Sequence, residues 1–222
     1  PTRTLFVNPG GPGAEAGPYA VVIAQLEPSL SALDDIVAVD PRGTGGSTPA
    51  PCAMVKDGVN DYRNPSAATI AAEQRGTRAS VVNCVASFGW YLPHITTRNT
   101  VRDHDLVRGL LGVPTVDWYG VSAGTWLATR YAEDFPTRVG RAVLDSNTNT
   151  ADTWDGSFSL QPKGFQRRFE QQFVPWAARH PEQGLGSSTE QVKASYERIR
   201  ALAAAGRFPG VTANDLDNLI VE

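Results

Sequence analysis

Gly120-Val121-Ser122-Ala123-Gly124 sets a serine between two glycines, directly after the apolar run Val116-Asp117-Trp118-Tyr119 and before a helical segment. A serine hydroxyl attacks a carbonyl only when it is lifted clear of its own backbone. Flanking glycines permit the sharp strand-to-helix turn that does this. The turn also leaves the serine at a helix N-terminus, where free N–H groups and the dipole favour negative charge. Ser122 is therefore the candidate nucleophile, weighed against a plain turn serine. A second glycine cluster, Asn8-Pro9-Gly10-Gly11-Pro12-Gly13, follows the short apolar run Thr4-Leu5-Phe6-Val7. A tetrahedral intermediate needs N–H donors aimed at its oxyanion. The backbone of Ala123, next after the serine, is one candidate donor and Gly11 the other, with Gly10 beside it as a substrate-binding neighbour. The spacing is not G-x-G-x-x-G and no Lys-Ser/Thr pair follows, so a phosphate cradle is the weaker reading. In Asp40-Pro41-Arg42-Gly43-Thr44-Gly45, the Asp and Arg read as scaffolding groups.

A serine nucleophile needs a general base, and the base an orienting acid. Only three histidines exist, His94, His104 and His180. The first two precede Ser122, and His104 reads as a packed or capping residue on a helix. His180 ends an aromatic-striped helix and is a poor candidate for the base. Asp145, after the next apolar run, is a candidate acid. The sequence holds no H-x-x-x-H and no C-x-x-C, so no metal site and no cofactor are expected.

The elements that must carry these groups follow from periodicity. Strands are expected at Thr4–Asn8, Ile36–Val39, Val116–Tyr119 and Ala142–Leu144. Helices are expected at Pro18–Leu33 despite Pro28, at Thr100–Leu111 and at Thr125–Phe135. Strands alternating with helices imply a mostly parallel sheet covered on both faces, with the site at the carboxyl ends of the strands. After about Asn149 the pattern becomes helical only. Phe165, Phe169, Phe173, Trp176 and Ala177 form an apolar stripe that reads as core, followed by a helix from Thr189 to Ala205. This divides the chain into a core, 1–149, and the start of a helical cap, 150–222.

The 222 residues carry a formal charge of −3 and are 41% hydrophobic, ordinary globular composition with no basic footprint for nucleic acid. No apolar run approaches the roughly 18 residues of a membrane span. Cys52 and Cys84 are either two separate thiols or a disulfide. A disulfide would contribute roughly 3–4 kcal/mol by loop closure and imply an oxidising compartment.

Taken in order, these motifs resemble the secreted tripeptidyl aminopeptidases of actinobacteria, in the prolyl-aminopeptidase-like group of α/β-hydrolases. The resemblance rests on N-P-G-G-P-G, D-P-R-G-T-G, G-V-S-A-G followed by T-W-L-A, and Val139-Gly140-Arg141-Ala142-Val143-Leu144-Asp145-Ser146. Gly164 to Phe169 and Pro175-Trp176 extend it. It implies an α/β-hydrolase fold, release of short peptides from free N-termini, export, and a Cys52–Cys84 disulfide. It also implies that the catalytic Asp and His lie in a C-terminal portion or a second polypeptide, and that strands precede the first one here. The chain thus reads as truncated at both ends. Ala123 departs from the larger residue, often Tyr, that relatives carry, a change the backbone N–H survives. An aminopeptidase also needs acids for the substrate ammonium, and Glu170 and Asp155 are the candidates. The alternatives are an esterase or acyltransferase on the same fold, or a catalytically incomplete binding module.

Overall fold

A computed structural model describes residues 3–52 and 61–220. The chain divides into two compact units. One is built from Pro1–Ala53 and Ser80–Thr153, the other from Met54–Ala79 and Trp154–Glu222.

The first unit is organised by a parallel sheet of β1 (Arg3–Asn8), β2 (Asp34–Ala38), β3 (Val116–Val121) and β4 (Val139–Asp145), in the order β2-β1-β3-β4. β1 is buried along almost its whole length, as its unbroken apolar run requires. Alternation along β3 decides which helix meets which face. Trp118 points into a core with Phe6, Val101, Val116, Ala128 and Tyr131, supplied by α4 (Thr97–Leu110) and α5 (Ala123–Asp134). Its neighbour Tyr119 points the other way and stacks on Tyr19 of α1 (Ala16–Leu26). Helices therefore cover both faces, and the expected α/β-hydrolase architecture is the one observed.

One expected helix is corrected. The helix foreseen from Pro18 to Leu33 is two, α1 and α2 (Pro28–Leu33), broken at Glu27. Pro28 has no N–H to continue α1, but it fits the first turn of a new helix, where that donor is unused anyway. The largest element without bounds in the sequence reading is α3 (Ala67–Phe88), whose weak amphipathy hides it from periodicity. Cys84 on α3 is disulfide-bonded to Cys52, with Cα atoms 4.9 Å apart.

The second unit includes α6 (Trp154–Arg168), a π-helical turn at Phe169–Phe173, α7 (Val174–Ala178), α8 (Thr189–Ala204) and α9 (Ala213–Leu219). Val174, Ala177 and Val192 form its small core, with Phe169 and Phe173 against it. Phe165 and Trp176 remain exposed, so the stripe expected as core is core only in its middle part. Among the described residues no helix is long and apolar enough to cross a membrane.

Candidate active site

The strand order contains a switch point. From β1 the chain moves outward to β2, then returns to lay β3 on the opposite side of β1. Ligands of open parallel sheets bind in the crevice at the carboxyl ends of two such strands. Both glycine clusters sit there. The loop 9–13 leaves the end of β1, and Ser122 leaves the end of β3, with Asn8 in register with Gly120.

Ser122 has φ 52° and ψ −120°, a left-handed conformation that costs a non-glycine residue about 1–3 kcal/mol. It is the N-cap of α5, yet its side chain makes no capping hydrogen bond. The Thr125 N–H goes instead to the Ser122 carbonyl, at 3.0 Å. In an ordinary N-cap the hydroxyl would take that donor. Here the strained backbone turns the hydroxyl away, and among the described residues it has no hydrogen-bond partner.

Glycine is required around this turn by contact as well as by φ. A Cβ on Gly10 would lie 2.6 Å from the Ala123 nitrogen. One on Gly120 would lie 2.5 Å from the Gly124 carbonyl oxygen, and one on Gly124 would run into the Asn8 carbonyl. The two loops therefore pack backbone to backbone. Gly10 has φ 83° and donates its N–H to Asn8 Oδ1 at 3.0 Å, which occupies that donor. Gly11, exposed at φ 50°, and Ala123, the first residue of α5, have N–H groups without partners among the described residues. A free hydroxyl beside two free backbone donors can attack a carbonyl and stabilise the resulting oxyanion.

A family model for the alpha/beta hydrolase fold matches residues 3–209. The chain belongs to this family. It is 32% identical over 217 residues to the tripeptidyl aminopeptidase of Streptomyces lividans, covering 93% of this chain and 40% of that protein. It is 34% identical over 177 residues to serine protease Hip1 of Mycobacterium tuberculosis, covering 75% and 33%. It is 35% identical over 201 residues to carboxylesterase B of Mycobacterium tuberculosis, covering 84% and 37%. The chain thus spans about two fifths or less of the length of these relatives.

None of the three histidines of this chain is hydrogen-bonded to Ser122. His104 is buried in the core, donates Nδ1–H to the Thr100 carbonyl at 2.7 Å and stacks on Trp118. Burial above all holds it neutral, with its pKa below the ordinary histidine value. His180 bonds the Trp176 carbonyl and stacks on that indole. His94 lies on a 3-10 turn, Leu92–His94. Asp145 accepts the Ser122 N–H through its backbone carbonyl, at 2.9 Å, while its carboxylate meets the Tyr119 and Ser146 hydroxyls. On Tyr19, burial and the hydrogen bond with Tyr119 push the phenol above the ordinary tyrosine range.

Asp40 and Arg42 act as scaffold. Asp40 takes the N–H groups of Ala16, Gly17 and Gly46 at 2.7, 3.2 and 2.7 Å, fastening the start of α1 to its own loop. Burial works to raise its pKa, but these three donors outweigh it and hold the carboxylate low. Arg42 forms a two-pronged pair with Asp103, at 2.6 and 2.8 Å. In the second unit Glu170 is ion-paired with Lys193 and accepts from Gln166, so its carboxylate already has a cation. Asp155 is exposed in the first turn of α6.

Two residues of this neighbourhood lie outside the sequence reading of the site. Asn8 appears there only as a motif letter, and its role depends on Gly10 folding back over it. Thr125 is fully buried and bonds both Ser122 and Thr148. The only hint in the sequence is a polar residue three positions after the N-cap, the spacing of a capping interaction.

Proposed function

We propose that the protein is a serine hydrolase that releases short peptides, tripeptides in the leading reading, from free N-termini. Ser122 Oγ forms the bond to the substrate carbonyl, and the N–H groups of Gly11 and Ala123 hold the oxyanion. The C–N bond breaks as the leaving amine takes a proton, and water then hydrolyses the acyl-enzyme. The base that moves the proton, with its acid, belongs to a portion of the protein outside these residues or to a second polypeptide. The engagement of His104 and His180 with backbone carbonyls supports that assignment. Gly10, Glu170 and Asp155 are the groups to test for substrate binding, the two acids for recognition of an ammonium.

One observation carries the reading. A strained serine presents an unbonded hydroxyl beside two unbonded N–H groups, and backbone strain of this kind persists where function needs it. The names of two relatives, a tripeptidyl aminopeptidase and a serine protease, support peptide over other acyl substrates. The disulfide and these relatives support an exported or envelope location. The likeness to a carboxylesterase favours ester hydrolysis as the second reading.

The test treats the full-length protein with a fluorophosphonate and maps the adduct by peptide mass. Chromogenic tripeptides with free and blocked amines are then compared with p-nitrophenyl esters. An adduct on Ser122 with turnover of free-amine tripeptides is the expected result. Turnover of esters alone replaces the peptidase reading with the esterase one, and an adduct elsewhere removes Ser122 from the chemistry.

A further inference from the structure

The Thr125 hydroxyl is fully buried one turn into α5 and uses its whole hydrogen-bonding capacity. It donates to the Ser122 carbonyl at 2.6 Å and accepts the Thr148 N–H at 3.0 Å. Its remaining lone pair meets the Thr148 hydroxyl, also at 3.0 Å. The same two segments are joined a second time, since the Ser122 N–H donates to the Asp145 carbonyl at 2.9 Å. The N–H of Ser122 is therefore tied to the last residue of β4, and its C=O, through Thr125, to the segment that follows. That segment is itself strained, because Ser146 is the only other described non-glycine residue with positive φ, at 54°. Two strained serines thus sit at the carboxyl ends of adjacent strands, and one buried hydroxyl links their loops.

We propose that Thr125 is a positioning residue that locks the Ser122 turn to the loop 146–149, making this loop a fixed wall beside the attacking hydroxyl. The proposal rests on the reading of Ser122 as nucleophile. Strain at φ 52° is held only while neighbouring groups over-determine it. The Thr125–Ser122 and Ser122–Asp145 bonds are two such constraints. Without the hydroxyl, the Ser122 carbonyl and the Thr148 N–H lose a buried partner, and the turn is free to relax away from the crevice.

The experiment uses the full-length protein with Thr125→Val, which keeps the shape and removes the hydroxyl, and Thr125→Ser, which restores the hydroxyl. Fluorophosphonate labelling gives the rate constant at saturating probe, the half-saturating concentration and the labelled fraction. Hydrogen exchange follows the peptides holding Ser122 and Thr148. Displacing an attacking group by about 1 Å costs on the order of 100-fold in rate. Thr125→Val is therefore expected to lower the saturating rate constant about 10- to 100-fold with little change in half-saturation, and to speed exchange in both peptides together. Thr125→Ser is expected to lie within about 3-fold of the wild type on the same scale.

A merely structural role would lower the labelled fraction and leave the rate constant of the folded molecules unchanged. That result overturns the proposal, as does failure of Thr125→Ser to recover the rate. If Thr125→Val does not fold, Thr148→Val removes a single contact, and an unchanged rate there overturns it. If the wild type takes no label at Ser122, the nucleophile reading fails. Exchange then decides the coupling alone, and independent behaviour of the two peptides refutes it.

Discussion

Around Ser122 the chain is held by backbone packed against backbone, whereas around Arg200 it is held by charge packed against charge. In the first region Gly10, Gly120 and Gly124 leave no room for a Cβ, and the polar contacts run through Asn8, Thr125 and main-chain groups. In the second, Arg200 on α8 bonds Asp61 at 2.6 Å and Asp217 on α9 at 2.9 Å. Arg63 reaches Glu197 and Asp217 at 2.9 Å each, and the Tyr196 hydroxyl bonds Asp217. The hydrogen bond to Asp61 leads in raising the Arg200 pKa above its ordinary value. On Asp217 burial pulls upward, but Arg200 and Tyr196 outweigh it and hold the carboxylate low. The contrast separates a place that leaves polar groups open from a place whose polar groups hold one another. The elbow leaves a hydroxyl and two N–H groups unpaired at its surface, while the charges around Arg200 satisfy one another.

The comparison breaks most directly at Ser122. Ser122→Ala removes the attacking oxygen, and hydrolysis of whichever substrate class turns over is expected to fall at least about a thousand-fold with the melting temperature nearly unchanged. A smaller fall measured in a matched assay would make the elbow a turn and nothing more. Gly124→Ala tests the backbone packing itself. The added methyl meets the Asn8 main chain, so a loss of roughly 1–3 kcal/mol in urea denaturation is expected together with slower labelling of Ser122.

Arg200→Leu tests the charged region. It removes the buried cation that Asp61 and Asp217 share, while Asp217 keeps its pair with Arg63. A loss of roughly 2–3 kcal/mol is expected, below the roughly 3–5 of full burial, because the two carboxylate side chains keep 21% and 27% exposure. A neutral outcome in thermal unfolding would show that these charges do not hold the helices. His104 sharpens the comparison through pH. Its folded pKa lies below its unfolded value near 6.5, so the unfolded chain binds the extra proton as pH falls. Stability is therefore full above about pH 6.5 and declines below it by up to about 1.4 kcal/mol per pH unit, until the depressed folded pKa is reached. His104→Leu should flatten this slope in denaturation measured from pH 7 to pH 5. The smallest effect belongs to the exposed Arg130–Glu133 pair, where Glu133→Gln should change stability by less than about 0.5 kcal/mol.

Much of the candidate site's local geometry was legible because its requirements are local. A serine flanked by glycines between a strand and a helix describes its own turn, and an N-P-G-G-P-G run after a strand describes a loop rich in free donors. The bounds of β1 and β3 fell within two residues of their apolar runs for the same reason. What escaped depended on partners far along the chain. α3 has too little amphipathy to announce itself, and a buried Arg200 looks in sequence like any solvated helix residue until Asp61, 139 positions away, closes on it. Glu170 likewise reads as a free acid until Lys193 on another helix pairs with it.

The sequence by itself determined the order of the four strands, the two glycine clusters and the serine within the second of them. These follow from side-chain period and from the φ values that only glycine adopts freely. Only the tertiary structure decided that β3 returns to the far side of β1 and brings the two clusters to one crevice. It alone turned the Ser122 hydroxyl off its cap, set Asn8 to consume the Gly10 donor and buried Thr125 between two strained loops. The pairing of β1 with β3 joins segments more than a hundred residues apart, and the tie between Thr125 and Thr148 spans 23 positions, where periodicity along a single chain carries no information.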